Sequence, residues 1–157
     1  MDNRERTVHA YEEFCKVLDS RNWHYDKNDE NLKVNLEIRG DDLTMDIYAS
    51  FDEKHERMYV ISHLPFAFPE DRRLDGAIAS SVINYNLVDG SFDYNIKNGR
   101  MVFRMTNSFK GCDEISPELF DYIIDCMLYT VDEYNDKFFM VSMGALSLDD
   151  FIAKYGN

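Results

Sequence analysis

The groups in this chain that could do chemistry are 4 histidines, 3 cysteines and 30 acidic residues. The histidines are His9, His24, His55 and His63. His55-Glu56 does not extend into the His-Glu-x-x-His pattern that holds zinc on one helical face, because Met58 and Tyr59 follow. No His or Cys pair has i, i+4 or Cys-x-x-Cys spacing. His63, on a strand pattern beside apolar residues, is expected to be packed or hydrogen-bonded. Serine has no Gly-x-Ser-x-Gly elbow, and Ser80-Ser81 falls inside a helical pattern beside Ala79, where small side chains imply close packing. Cys112 follows Gly111 and is the thiol expected to be exposed. A reactive thiolate needs a nearby cation, and Asp113 and Glu114 follow instead. Cys15 and Cys126 sit on apolar helical stripes and are expected to act as small core residues. Asp41-Asp42 and Asp149-Asp150 are adjacent in sequence, so their side chains diverge and cannot work as an acid–base pair. The glycines are scattered and form no phosphate loop. The expectation is therefore no catalytic residue, no metal and no cofactor. An enzyme using an unrecognised arrangement stays open.

Apolar groups remain in surplus. Leu128, Phe139 and Met143 lie off the main stripe of a long helical pattern, and Phe66 and Phe68 fall in the proline-flanked segment Pro65-Phe66-Ala67-Phe68-Pro69. Either the end of the chain covers these five, or they form a homodimer seam or partner groove. They are the candidate interface. Tyr and Met suit adaptable interfaces.

Composition narrows the partner. The net charge is −13, with 45% hydrophobic and 30% charged residues among 157. Such a surface repels nucleic-acid backbones and anionic lipid, so neither DNA, RNA nor a membrane is an expected partner. A protein partner is expected, of unspecified identity. Three cysteines do not make a disulfide framework. Met1 to Arg6 leads into an amphipathic pattern, not a leader, and the cytoplasm is the expected location.

The elements that would position these groups follow from periodicity. Residues 4–21 carry Val8, Tyr11, Phe14, Cys15 and Leu18 at helical spacing, with Asn22 as a stop. Trp23 and Tyr25 suggest a short strand before a polar turn over 26–31. Three alternating strands follow: Leu32 to Ile38, Leu43 to Phe51 and Met58 to Leu64. Pro65 is expected to end the third. A second helix starts near Glu70 or Asp71, buries Leu74, Ala77, Ile78, Val82 and Tyr85, and ends at Gly90. Phe92, Tyr94 and Ile96, then Asn98-Gly99, then Met101, Phe103 and Met105 read as a hairpin. Ser116, Pro117 and Glu118 open a long helix carrying Phe120, Ile123, Ile124, Met127, Val131, Tyr134, Phe138 and Val141 to Met143, stopped by Gly144. Ser147 with Asp150 opens a final helix with Leu148, Phe151, Ile152 and Tyr155 on its apolar side.

The order is α-β-β-β-α-β-β-α-α. It predicts one α+β domain over 1–157, with an antiparallel sheet of five or six strands covered by helices on one face. Asn84, Gly90 and Phe92 form its structural joint: Asn84 is placed to satisfy end-of-helix carbonyls and Gly90 to supply a left-handed turn.

The order and several local features resemble the bacterial sensory transduction regulator family, the YbjN-type domain. They are Ile83-Asn84, Gly90-Ser91-Phe92, the turn Asn98-Gly99, and Gly144 before Ser147 to Ile152. The resemblance implies a fold like the chaperones of type III secretion, often dimeric, binding other proteins, without enzyme activity or cofactor. The second hypothesis is a small-molecule sensor with a pocket between helix and sheet lined by Tyr48, Tyr59, Tyr85 and Phe103.

Overall fold

The computed structural model describes residues 1–157. Helix α1 (Asn3–Ser20) begins with a capping box. The Glu5 amide donates to the Asp2 carboxylate and the Asp2 amide to that of Glu5, each at 2.8 Å. Tyr11, Phe14 and Leu18 face inward, and Asn22 closes the helix in a left-handed conformation. The next strand, β1 (Asp26–Asn28), lies where the polar turn was expected. Trp23 and Tyr25 are not in a strand. Register explains the shift, because β1 pairs with β2 (Lys33–Arg39) through Asp26↔Asn35 and Asn28↔Lys33. The Tyr25 hydroxyl donates back to Asp19 on α1 at 2.8 Å.

Strands β3 (Thr44–Asp52) and β4 (Arg57–Ala67) complete a meander. Contrary to expectation, Pro65 does not end β4. The ladder to the neighbouring strand loses register between His63 and Ala67, so no ladder donor is required of residue 65. The chain then delivers Phe68 into the core, 1% exposed.

A single 3-10 turn (Glu70–Arg72) leads into α2 (Arg73–Asn86). Hairpin strands β5 (Ser91–Asn95) and β6 (Arg100–Ser108) follow. Strand β6 inserts beside β4, giving the antiparallel order β1-β2-β3-β4-β6-β5. The hairpin loop has four residues, Ile96 to Gly99, and only Gly99 has positive φ. Ile96 is thus a turn residue, exposed, and not part of the strand. Gly99 is required by close approach, since a Cβ would stand 2.1 Å from the Phe68 carbonyl oxygen.

Helix α3 (Pro117–Met143) has the expected bounds, with Gly144 left-handed at φ 72°. One detail differs. The Ser116 hydroxyl bonds the Glu118 carboxylate and leaves the backbone uncapped. Ser147 does cap α4 (Leu148–Tyr155), accepting from the Asp150 amide at 3.1 Å.

The helices cover one sheet face, and the core they enclose has 33 buried hydrophobic residues. Phe92 sits at its centre, 4.9 Å from Phe103 and 4.8 Å from Phe138 between ring centroids. Phe151 of α4 closes the far side against Phe138. The other face of the sheet is open. His63 is exposed there and is not packed as expected.

Two polar devices hold the frame. At the first, Arg6 on α1 donates to Glu56 at 2.5 Å and also bonds Asp113 before α3. Glu56 is buried, 4% exposed, at the β3–β4 turn, where its own carbonyl accepts from the Phe109 amide at 2.9 Å. At the second, the Asn84 side chain donates to the Phe92 carbonyl at 2.9 Å and accepts from the Phe92 amide at 2.8 Å. That corrects the expected role of Asn84. Its amide satisfies the outer edge of β5 and not the end of α2, acting there as one residue of a missing strand. Gly90 also does not end α2, which stops at Asn86 with Leu87 as its cap. Its φ is nonetheless 74°, and a Cβ would meet the Phe103 ring at 2.4 Å.

Gly90→Ala is expected to cost about 1–3 kcal/mol, from the left-handed backbone and the clash with Phe103. Asn84→Ala is expected to cost about 1–3 kcal/mol by leaving both Phe92 backbone groups unpaired. Urea unfolding followed by circular dichroism measures both, and midpoints equal to wild type would refute them. Arg6 holds the Asp113 carboxyl below its ordinary value. A carboxyl that titrates lower when folded stabilises fully above about pH 4 and progressively less as pH falls through its folded value. Asp113→Asn is therefore expected to flatten the acid side of the Tm-against-pH curve and leave its slope near neutrality unchanged.

Candidate interaction surface

Helix α2 turns its small residues inward. Gly76, Ala79, Ser80 and Ile83 are buried. Gly76 meets the Tyr94 ring of β5, where a Cβ would come within 2.6 Å of it. The consequence is on the other side. Leu74 is 69% exposed, Ile78 42% and Tyr85 82%, and Val82 is half-buried beside them. At 3.6 residues per turn these positions fall on one stripe, opposite the buried one. The expected stripe of Leu74, Ala77, Ile78, Val82 and Tyr85 is thus real but faces out. A shallow groove of about 520 Å³ runs along it, from Ala77 to the last two residues, Gly156 and Asn157.

A smaller patch lies at the end of α3. The Phe66 ring packs edge-on to Phe139 at 5.3 Å and lies 6.2 Å from Phe68. Phe66 is half-buried, Phe139 and Met140 are exposed at its rim, and Met143 is 66% exposed one turn further. Two of the five candidate interface residues, Phe66 and Phe139, therefore come together on the surface, with Met143 one turn further along the helix. Phe68, fully buried, is a core residue and not available to a partner. Leu128 lies about three turns from Phe139 on α3 and is half-buried, facing the β2–β3 turn.

The residues proposed for a helix–sheet pocket do not converge. Tyr48 and Tyr59 stand side by side on the open sheet face, 6.5 Å apart. Phe103 is buried on the opposite face, and Tyr85 is on the outside of α2. The chemical groups are dispersed too. No group of three His, Cys, Asp or Glu could hold a metal ion. Burial pushes the Cys15 and Cys126 thiols up, whereas Cys112 is exposed as expected. No helix is long and apolar enough to cross a membrane.

The sequence signal for the α2 stripe was the run Gly76, Ala79, Ser80. Three small residues on one helical face mark a close approach to another element, and the larger apolar residues opposite must then face outward.

The family model for YbjN, described as "Putative bacterial sensory transduction regulator", matches residues 10–140. The chain belongs to the YbjN family. Solved structures place the fold of this YbjN-family chain among those of type III secretion chaperones. A chain of the ExsC–ExsE complex superposes with a TM-score of 0.62 at 13% identity, over 87% of this chain and 96% of that one. A chain of the HopA1–SchA chaperone–effector complex gives 0.56 at 15%, over 87% and 98%. YbjN from E. coli gives 0.54 at 13%, over 78% and 88%. At these identities the likeness is one of fold. No curated protein matches by sequence.

The orientation of α2 is directly testable. Tyr85→Ala and Leu74→Ser are expected to change the unfolding free energy of the single chain by under about 0.5 kcal/mol. Ile83→Ala, 1% exposed, is expected to cost about 2–5 kcal/mol. The reverse ranking in urea unfolding at low protein concentration would overturn the assignment of faces.

Proposed function

We propose that this chain is a non-enzymatic, chaperone-like protein-interaction domain, regulatory in role, cytoplasmic, and active as a homodimer. The observation that carries the proposal is the outward apolar stripe of α2. Monomeric proteins rarely leave several large apolar residues contiguous on one helix face. Leu74, Ile78, Ser81 and Tyr85 follow a four-three-four spacing, the pattern that lets two helices pack along a common seam. Ser81, small and exposed at its middle, lets two backbones approach.

The seam suits a second copy of the chain. In an antiparallel two-fold pair, Tyr85 of one protomer lies near Leu74 of the other, and the same patch serves both sides. Each large side chain fully buried contributes about 1.5–3 kcal/mol. Three from each copy are comparable to an association cost of roughly 4–15 kcal/mol. The patch around Phe66, Phe139 and Met143 then remains for a different protein. The fold adds support, since two similar chains come from protein–protein complexes, one of them a chaperone–effector complex.

Sedimentation equilibrium tests the seam. The wild-type chain is expected to be a dimer at micromolar concentration, and Ile78→Asp with Tyr85→Asp to give a monomer with an unchanged circular dichroism spectrum. A wild-type protein that stays monomeric at every concentration sinks the homodimer.

A further inference from the structure

A second groove lies where the β2–β3 turn meets the middle of α3. Its volume is about 490 Å³. Ile38, Met45 and Leu128 supply an apolar floor, and Tyr129, 74% exposed, stands beside it. Both banks are acidic. Asp41 and Asp42 form one on the turn, and Asp132 and Glu133 the other on the helix.

The banks are fixed in place. The Asp41 amide donates to the Asp132 carboxylate at 2.9 Å, across 91 residues of sequence. Gly40 permits that approach, since a Cβ there would stand 2.4 Å from the same carboxylate oxygen. The groove's own lysine is already engaged: Lys137 reaches Glu133 at 3.3 Å and Asp136 at 3.5 Å. Four carboxylates thus face the groove against Lys137 and the exposed Arg39.

We propose that this groove binds a segment of a partner protein that carries one apolar anchor flanked by Lys or Arg. The inference rests on the protein-interaction reading above and names the chemistry of the partner. An apolar side chain fills the floor, and cations on either side meet the two acidic banks. The net charge of −13 draws such segments in from a distance. Acidic segments and nucleic acids are repelled by the same field. The site is distinct from the α2 seam, so one dimer presents it twice.

The test uses fluorescence anisotropy with a short labelled peptide of alternating Lys and Leu and its Glu/Leu counterpart. The Lys/Leu peptide is expected to bind wild type and to weaken several-fold as salt rises and the Debye length shrinks. Asp41→Lys with Asp42→Lys, both exposed on the turn, is expected to weaken binding by about tenfold or more. Tyr129→Ala should weaken it less. Glu12→Lys with Asp149→Lys makes the same net-charge change elsewhere on the surface and is expected to leave affinity within about twofold. Equal losses in the two double variants, or equal binding of the Glu/Leu peptide, would show bulk charge attraction and overturn the site. If the Lys/Leu peptide fails to bind while the wild-type protein dimerises, the groove is refuted and the protein-interaction reading stands. If the wild-type protein neither dimerises nor binds the peptide, both fall.

Discussion

Strand β5 lies at the outside of the sheet, and the outward groups of its backbone need partners. Helix α2 supplies them at Phe92. Asn84 pairs with both backbone groups of Phe92, and Gly76 lets the helix sit directly on the Tyr94 ring. A helix can come that close only if its inner face is small. Gly76, Ala79 and Ser80 meet that condition and force Leu74, Ile78 and Tyr85 to the outside. The need to cover one strand edge thereby puts a stripe of large apolar side chains on the surface. Phe92, held by Asn84 on its backbone and by Phe103 and Phe138 on its ring, joins that edge to the core.

Much of this frame was legible in the sequence because it depends on local rules. Pro117 at a helix start and Gly144 at its stop set α3 to the residue, and alternation gave the central strands. Errors arose where a long-range contact overrides a local preference. Pro65 should end a strand, yet β4 continues because the ladder there is already out of register. Ile96 continues the alternation of β5, yet Phe68 docks against Gly99 and the loop has four residues that include Ile96. Asn84 resembles a helix-end residue, yet its partner is eight residues ahead in another element.

The candidate surface was less legible for a specific reason. A helical apolar stripe defines a face but not the direction in which it points. For α3, whose main stripe is apolar along its whole length, the inward face is unambiguous. For α2 the small face and the large apolar face compete, and only the geometry of β5 decides between them. Phe139 and Met143 were recognisable as surplus because α3 already had a complete inward stripe, and Phe66 because it falls in a proline-flanked segment. Phe68 could not be separated from Phe66 without knowing that Gly99 leaves it a slot.

The two outer strands of the sheet are unequal. Helix α2 packs over the outer edge of β5, with Asn84 paired to Phe92 there, whereas β1 is three residues long, exposed, and carries Asp26 and Lys27. Fibril growth by strand addition requires a free edge on both sides of every subunit, so that each one can receive a neighbour and offer itself to the next. A subunit with one closed edge ends any such chain at the first pairing. Strand addition at the β1 edge therefore gives at most a single pair of subunits while α2 stays in place on β5.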